Sequence, residues 1–72
     1  MDKNLDLMIS ENIKKEIEQS GLKKSEIAEA IGVSRATVSQ YVSRRAQPTL
    51  ATFSRLCAVL DCSADDILNL KN

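Results

Sequence analysis

The junction Gly32-Val33-Ser34, between two short segments with helical apolar spacing, constrains the fold more than any other feature of the chain. Glycine can adopt positive φ, so the chain can turn sharply at Gly32 without a Cβ clash. A serine such as Ser34 suits the N-cap of the helix that follows. Val33 can fill the corner between the two segments. We therefore predict two short helices, over residues 24–31 and 35–42, that meet at a sharp turn.

Small and apolar side chains flank this junction, at positions where two crossing helices would contact each other or the core. Ala28 is small at a point of close helix approach, and Val38 and Tyr41 can anchor the second helix on a core. Their order and spacing are those of a helix-turn-helix over residues 24–42. A plain helical hairpin within a bundle is the alternative that the same residues allow.

Apolar periodicity predicts a further helix before this motif, over about residues 8–20. Its stripe recurs every four residues, at Ile9, Ile13 and Ile17. Gly21 follows it as a left-handed stop. The start of the helix is left open, because three residues are possible caps: Asn4, Asp6 and Ser10.

Two more helices are predicted after the motif. Pro48 keeps Gln47 out of helical geometry, and Thr49 caps a fourth helix. Its apolar stripe is Leu50, Phe53, Leu56, Cys57 and Leu60. Ser63 and Asp66 form a variant of the capping box at the start of a short fifth helix, whose apolar residues are Ile67, Leu68 and Leu70. With no alternating strand pattern, the sequence predicts an all-α fold of five helices in a single domain, residues 1–72.

Composition argues against several classes of protein. The chain has 72 residues and no histidine, which removes the commonest general base and metal ligand. It has no apolar run near the roughly 20 residues that span a bilayer and no secretory leader pattern. Cys57 and Cys62 do not have metal-ligand spacing, so we expect reduced core thiols in a cytoplasmic protein. We predict no enzyme activity, no cofactor and no metal site.

The charges are unevenly distributed although their sum is zero. Residues 30–60 contain no acidic side chain but hold Arg35, Arg44, Arg45 and Arg55, whereas both flanking segments are acidic. A central basic stretch of this kind favours a polyanionic partner. A solvated surface on which the charges happen to sort in this way is the alternative.

The segment SEIAEAIGVSRATVSQY, residues 25–41, resembles the helix-turn-helix of phage repressors and Cro proteins, the XRE family. The segments PTLATFSRLCAVL and CSADDIL resemble the family's fourth and fifth helices, so the likeness covers residues 13–68. The resemblance implies a compact five-helix lambda-repressor-like domain. It further implies a sequence-specific, usually dimeric, DNA-binding transcription regulator of a bacterium or its phage.

Some positions depart from the family pattern. Lys23-Lys24 replaces the usual Ser or Thr followed by Gln, which weakens a helix cap and adds charge. Val42 replaces a common Glu, and Ala46 replaces a common basic residue. Arg44 stands where the family often has Gly, so either the turn differs there or a residue with a Cβ adopts a strained conformation.

The second helix of such a motif lies in the major groove with its N-terminal residues at the base edges. If Val38 points inward, the residues predicted to contact bases are Arg35, Ala36, Ser39 and Gln40. Arginine suits guanine, glutamine suits adenine, and an alanine methyl suits the thymine methyl. For Ala36 and Ser39, ordinary helix surface is an equal alternative.

Phosphate contacts are expected at both ends of the motif, because a helix N-terminus and nearby cations favour anions. The predicted phosphate-contacting residues are Lys23, Lys24, Ser34, Thr37, Ser43, Arg44 and Arg45. Ser43 also lies on the outward face of the second helix. Arg55 is left open between a phosphate contact and a solvated side chain.

These residues predict a repressor that occupies a near-palindromic operator in double-stranded DNA as a homodimer. No effector domain and no small-molecule site are expected within 72 residues. The dimer surface is left between residues 67–70 and residues 5–8, either of which could instead belong to the core. The alternative function is a protein-binding module, an antirepressor or an antitoxin-like partner, in which DNA binding is secondary.

Overall fold

The computed structural model describes residues 3–70, and every regular element in that range is an α-helix. The helices are α1 (Lys3–Gln19), α2 (Lys24–Ile31), α3 (Arg35–Val42), α4 (Leu50–Leu60) and α5 (Ala64–Leu68). The predicted all-α fold of five helices is therefore confirmed. Within residues 3–70, no helix is both long and apolar enough to cross a membrane.

A single apolar core joins the five helices, and each helix contributes to it. Its buried side chains are Ile13, Ile17, Ile27, Ala28, Ile31, Val38, Tyr41, Phe53, Leu56 and Ile67. α2 spans only about two turns, which is too short to be stable alone. Its three buried residues, packed against α3 and α4, therefore keep it helical.

α1 begins five residues earlier than predicted and ends at Gln19. Asn4, Asp6 and Ser10, the three predicted caps, all lie inside the helix. Residues 3–8 contain neither glycine nor proline, so no helix-breaking residue interrupts this first part of α1. The apolar stripe is confirmed at Ile13 and Ile17, which are buried, whereas Ile9 is half-buried against the core.

α2, α3, α4 and α5 end in the same way, with one left-handed residue. Gly32, Arg44, Asp61 and Asn69 have φ values of 78°, 64°, 52° and 58°. In each case the next residue's N–H bonds the carbonyl five residues back, over 2.9 to 3.0 Å, as in a Schellman motif. Only one of the four positions is a glycine, so Arg44 adopts the strained conformation that the sequence left open. Gly21, after α1, is also left-handed at φ 74°, as predicted.

The side-chain caps of α3 and α4 are confirmed, whereas the prediction that the Ser63 hydroxyl caps α5 is wrong. The hydroxyl oxygens of Ser34 and Thr49 accept hydrogen bonds from the N–H groups of Thr37 and Thr52, at 3.1 and 3.2 Å. Ser63 stands at the N-cap of α5, but its hydroxyl makes no cap hydrogen bond. The fifth helix is instead held by its buried Ile67.

Two apolar residues of the predicted stripes are exposed. Leu50 is 85% exposed and Leu70 is 64% exposed, whereas Cys57, Leu60 and Leu68 are half-buried. Leu50 is the first residue of α4. The apolar stripe of α4 begins there, before the part of the helix that packs on the core, so Leu50 is exposed. Leu70 lies past the end of α5.

Polar side chains fasten the connecting segments to α1. Gln47 in the α3–α4 loop donates from Nε2 to the carbonyl of Asp6 at 3.2 Å and to the hydroxyl of Ser10 at 3.0 Å. Ser10 is the one buried polar residue among residues 3–70. Asn12 donates to the carbonyl of Ile67 at 3.0 Å. The bonds of Gln47 hold the α3–α4 loop against α1, and the bond of Asn12 holds α5 against the same helix.

The two cysteines are free and half-buried, so they lie at the edge of the core rather than inside it. The backbone N–H of Cys62 donates to the carbonyl of Cys57 at 3.0 Å, in the Schellman turn at the end of α4. Burial raises the pKa of the Cys57 thiol and raises that of Cys62 to about 12. Both side chains therefore carry protons at neutral pH and behave as small apolar groups.

Candidate nucleic-acid interface

The turn between α2 and α3 has the geometry that its sequence predicts. Gly32 is left-handed, and the N–H groups of Gly32 and Val33 both bond the carbonyl of Ala28, at 2.9 and 3.0 Å. Val33 packs against the core, and Ala28 is buried where the helices approach. The turn and its anchors thus set the angle at which α3 leaves the domain.

α3 presents a small polar surface opposite its buried Val38 and Tyr41. Arg35, Ala36 and Gln40 are exposed, as predicted for base contacts, whereas Ser39 is half-buried. Ser39 lies about 100° around the helix from Val38, which places it on the flank of the outward face rather than at its centre. Burial raises the pKa of the Tyr41 hydroxyl, which belongs to the core.

The N-terminal ends of α2 and α3 together form a basic groove, lined by Lys23, Lys24, Ser25 and Arg35. The fold therefore brings the two predicted phosphate contacts of α2 next to the predicted base contact of α3. Lys23 stands at the N-cap of α2 but supplies no side-chain cap. Its N–H instead donates to Oε1 of Glu26 at 2.8 Å, which places an unpredicted carboxylate beside this groove.

Ser34 and Thr37 form a linked pair at the start of α3. The oxygen of Ser34 accepts from the Thr37 N–H, and the two hydroxyls hydrogen-bond each other at 2.9 Å. Whichever hydroxyl donates in that bond, the other keeps its proton for an outside acceptor. The pair can therefore offer one hydrogen bond to a phosphate without losing the cap.

The C-terminal end of α3 carries Ser43, Arg44 and Arg45, all exposed. The hydroxyl of Ser43 donates to the carbonyl of Gln40 at 3.2 Å, so it must give up that bond before it can donate to a phosphate. Arg44 makes an ion pair with Glu11 of α1. Arg45 lies beside it in an open groove against α1 and has no ion pair within residues 3–70. Arg55 is exposed on α4.

Glu11 and Glu26 are the acidic neighbours that sequence reasoning missed. Glu26 stands three residues after Lys23, which is the spacing of the second half of a capping box, so a local signal existed. Glu11 and Arg44 are 33 residues apart, and only the packing of α1 against α3 brings them together.

No cluster of three or more histidine, cysteine or acidic residues able to hold a metal ion occurs between residues 3 and 70. The candidate surface described above carries cations and hydroxyl groups beside helix ends. This is the chemistry that contacts a nucleic-acid backbone.

Comparison with known protein families gives one match. A family model described as Helix-turn-helix matches residues 13–67, which is more than half of the chain. No curated protein and no solved structure matches. The matched range includes both helices of the turn and every buried core residue from Ile13 to Ile67.

Proposed function

The chain belongs to the XRE-type helix-turn-helix family of DNA-binding transcription regulators, and on this premise we propose that it is a repressor that occupies a specific operator as a homodimer. The observation that carries the proposal is the surface of α3. An exposed face with small polar residues lies between the groove of Lys23, Lys24 and Arg35 and the pair Arg44 and Arg45.

We assign sequence reading to the exposed side chains of α3. Arg35 suits a bidentate contact with guanine, Gln40 suits adenine, and the methyl group of Ala36 suits the thymine methyl. Ser39 takes part from the flank of the helix, where it is half-buried. The side chains of Ala36 and Ser39 are small, which leaves room for α3 to enter the major groove of DNA.

We propose that phosphate contacts position α3 relative to the bases. Such contacts fix the orientation of a protein on DNA but do not read its sequence. At one end they come from Lys23, Lys24 and the Ser34–Thr37 pair. At the other end they come from Arg44 and Arg45, and from Ser43 once its bond to Gln40 is released. In the proposal, these residues belong to one DNA-binding domain, which the sequence predicts over residues 1–72.

A homodimer follows from the small number of bases that one module reads. Two copies of α3 about 34 Å apart would read successive major grooves of a near-palindromic site. Several exposed leucines are candidates for such a contact: Leu5, Leu7, Leu50 and Leu70. Ile67 is not part of it, because its side chain is in the core.

Selection of bound sequences from a random pool of double-stranded DNA tests this function. We expect an enriched, near-palindromic site whose two halves lie one helical turn apart, and footprinting should show both halves protected. Affinity for mixed-sequence DNA should fall steeply with salt, because each neutralised phosphate releases counterions. A flat salt dependence with no enriched sequence would favour a protein-binding module, for which the zero net charge is the supporting observation.

A further inference from the structure

Arg44 is held by a carboxylate in the free protein. Its Nη1 lies 2.9 Å from Oε2 of Glu11, and both side chains are about half exposed, at 48% each. Oε1 of the same glutamate lies 3.8 Å from Nζ of Lys14, one turn further along α1. Glu11 therefore sits between two cations, one on its own helix and one just past the end of α3.

We propose that Glu11 competes with DNA phosphate for Arg44 and so lowers the affinity of this protein for DNA of any sequence. The inference rests on the proposed function, in which Arg44 contacts the backbone. A guanidinium that is paired with a carboxylate must leave it, or share it, before it can neutralise a phosphate. Glu11 is then a positioning residue, which acts only through Arg44.

The geometry permits the exchange at low cost. The ion pair is open to water on both sides, and exposed pairs of this kind contribute little to stability. The backbone of Arg44 is fixed, since its left-handed turn is closed by hydrogen bonds from the N–H groups of Arg44 and Arg45. Only the side chain has to swing, and Lys14 stays beside Glu11 when Arg44 leaves.

The test compares Glu11→Gln with wild type on an enriched site and on mixed-sequence DNA. We expect Glu11→Gln to bind both about two- to fivefold more tightly, the range that corresponds to the strength of an exposed ion pair. The slope of log affinity against log salt should steepen by up to about 1, because one more phosphate is fully neutralised. A similar gain on both DNAs is expected, since a phosphate contact carries no sequence information.

Glu18→Gln is the matched control. Glu18 is an exposed glutamate on the same helix, two turns beyond Glu11, so its substitution changes the net charge equally without touching Arg44. The gain of Glu11→Gln should exceed that of Glu18→Gln, and in an Arg44→Gln background it should fall to the gain of Glu18→Gln. Thermal denaturation of each variant shows that the comparison is made between folded proteins.

Equal affinities of Glu11→Gln and Glu18→Gln would overturn the inference while leaving the proposed function intact. A gain that still exceeds that of Glu18→Gln in the Arg44→Gln background would also overturn it, because Glu11 would then act on DNA without Arg44. Absence of DNA binding by the wild type would refute the proposed function and the inference together.

Discussion

Replacing Gly32 by alanine should lower the free energy of unfolding by about 1 kcal/mol, for a reason that lies in the backbone alone. A Cβ built on Gly32 meets no atom within 4 Å, so the substitution creates no clash with other residues. The cost comes from φ of +78°, because left-handed geometry costs a residue with a Cβ about 1–2 kcal/mol. Alanine also restricts the unfolded chain, which offsets about 0.4–1 kcal/mol of that cost.

Asp61→Gly is the reciprocal change. Asp61 has φ of +52° in the same kind of helix-ending turn, so glycine should relieve strain there and raise the free energy of unfolding. The substitution also removes a negative charge from the C-terminal end of α4, where the helix dipole disfavours it. Asp61→Asn separates the two effects, since it removes the charge and keeps a side chain.

Urea and thermal unfolding followed by circular dichroism measure both changes. For a domain of this size, 1 kcal/mol corresponds to a shift of about 4–8 °C in Tm. We expect the Tm of Gly32→Ala to be lower than that of the wild type by that amount, and the Tm of Asp61→Gly to be higher. If Gly32→Ala left Tm unchanged, or if Asp61→Gly lowered it, left-handed strain would not control the stability of these helix ends.

Three further outcomes are expected. Val38→Ala should lower the free energy of unfolding by roughly 1–3 kcal/mol in urea titrations, because the fully buried side chain leaves a cavity; no loss would contradict its place in the core. Leu50→Glu should leave Tm unchanged but weaken self-association in sedimentation equilibrium, and unaltered association would remove Leu50 from the dimer surface. Between pH 9.0 and about 12, iodoacetamide should alkylate Cys62 more slowly in the folded than in the urea-unfolded chain, because burial keeps the folded thiol protonated; equal rates would show that the thiol is not shielded.

Features set by neighbouring residues could be predicted from the sequence. The bounds of α2, the caps Ser34 and Thr49 and the left-handed Gly32 are as expected, because each depends on hydrogen bonds within about five residues. The start of α1 could not be predicted in this way, because three residues, Asn4, Asp6 and Ser10, were equally possible caps. Leu50 shows the limit of periodicity, which identifies an apolar face but not where the packing surface beneath it ends.

The candidate site also has features that the sequence could predict and features that it could not. A rotation of about 100° per residue was sufficient to predict that Arg35, Ala36 and Gln40 are exposed. It could not predict that Lys23, Lys24 and Arg35 share one groove, because that requires the angle between α2 and α3. The pairing of Arg44 with Glu11 was equally out of reach, since it depends on how α1 packs against α3.

Arg35→Ala tests whether α3 reads bases in the proposed register. Arg35 is the first residue of α3, directly after the Ser34 cap, and its side chain is exposed. It also lines the groove with Lys23 and Lys24, so a phosphate contact is the competing role. If Arg35 makes a bidentate contact with guanine, its truncation should cost about 1–3 kcal/mol of binding free energy on the operator. The loss should relax the preference mainly at one position in each half-site.

Gln40→Ala is the comparison, because Gln40 lies on the same outward face one turn beyond Ala36, outside that groove. It should relax a different position, and neither change should lower Tm much, since neither side chain is in the core. The measurement is a base-by-base binding scan of wild type and both variants. A loss spread evenly over all positions for Arg35→Ala would make Arg35 a backbone contact of the basic groove. The reading surface of α3 would then have to begin at Ala36.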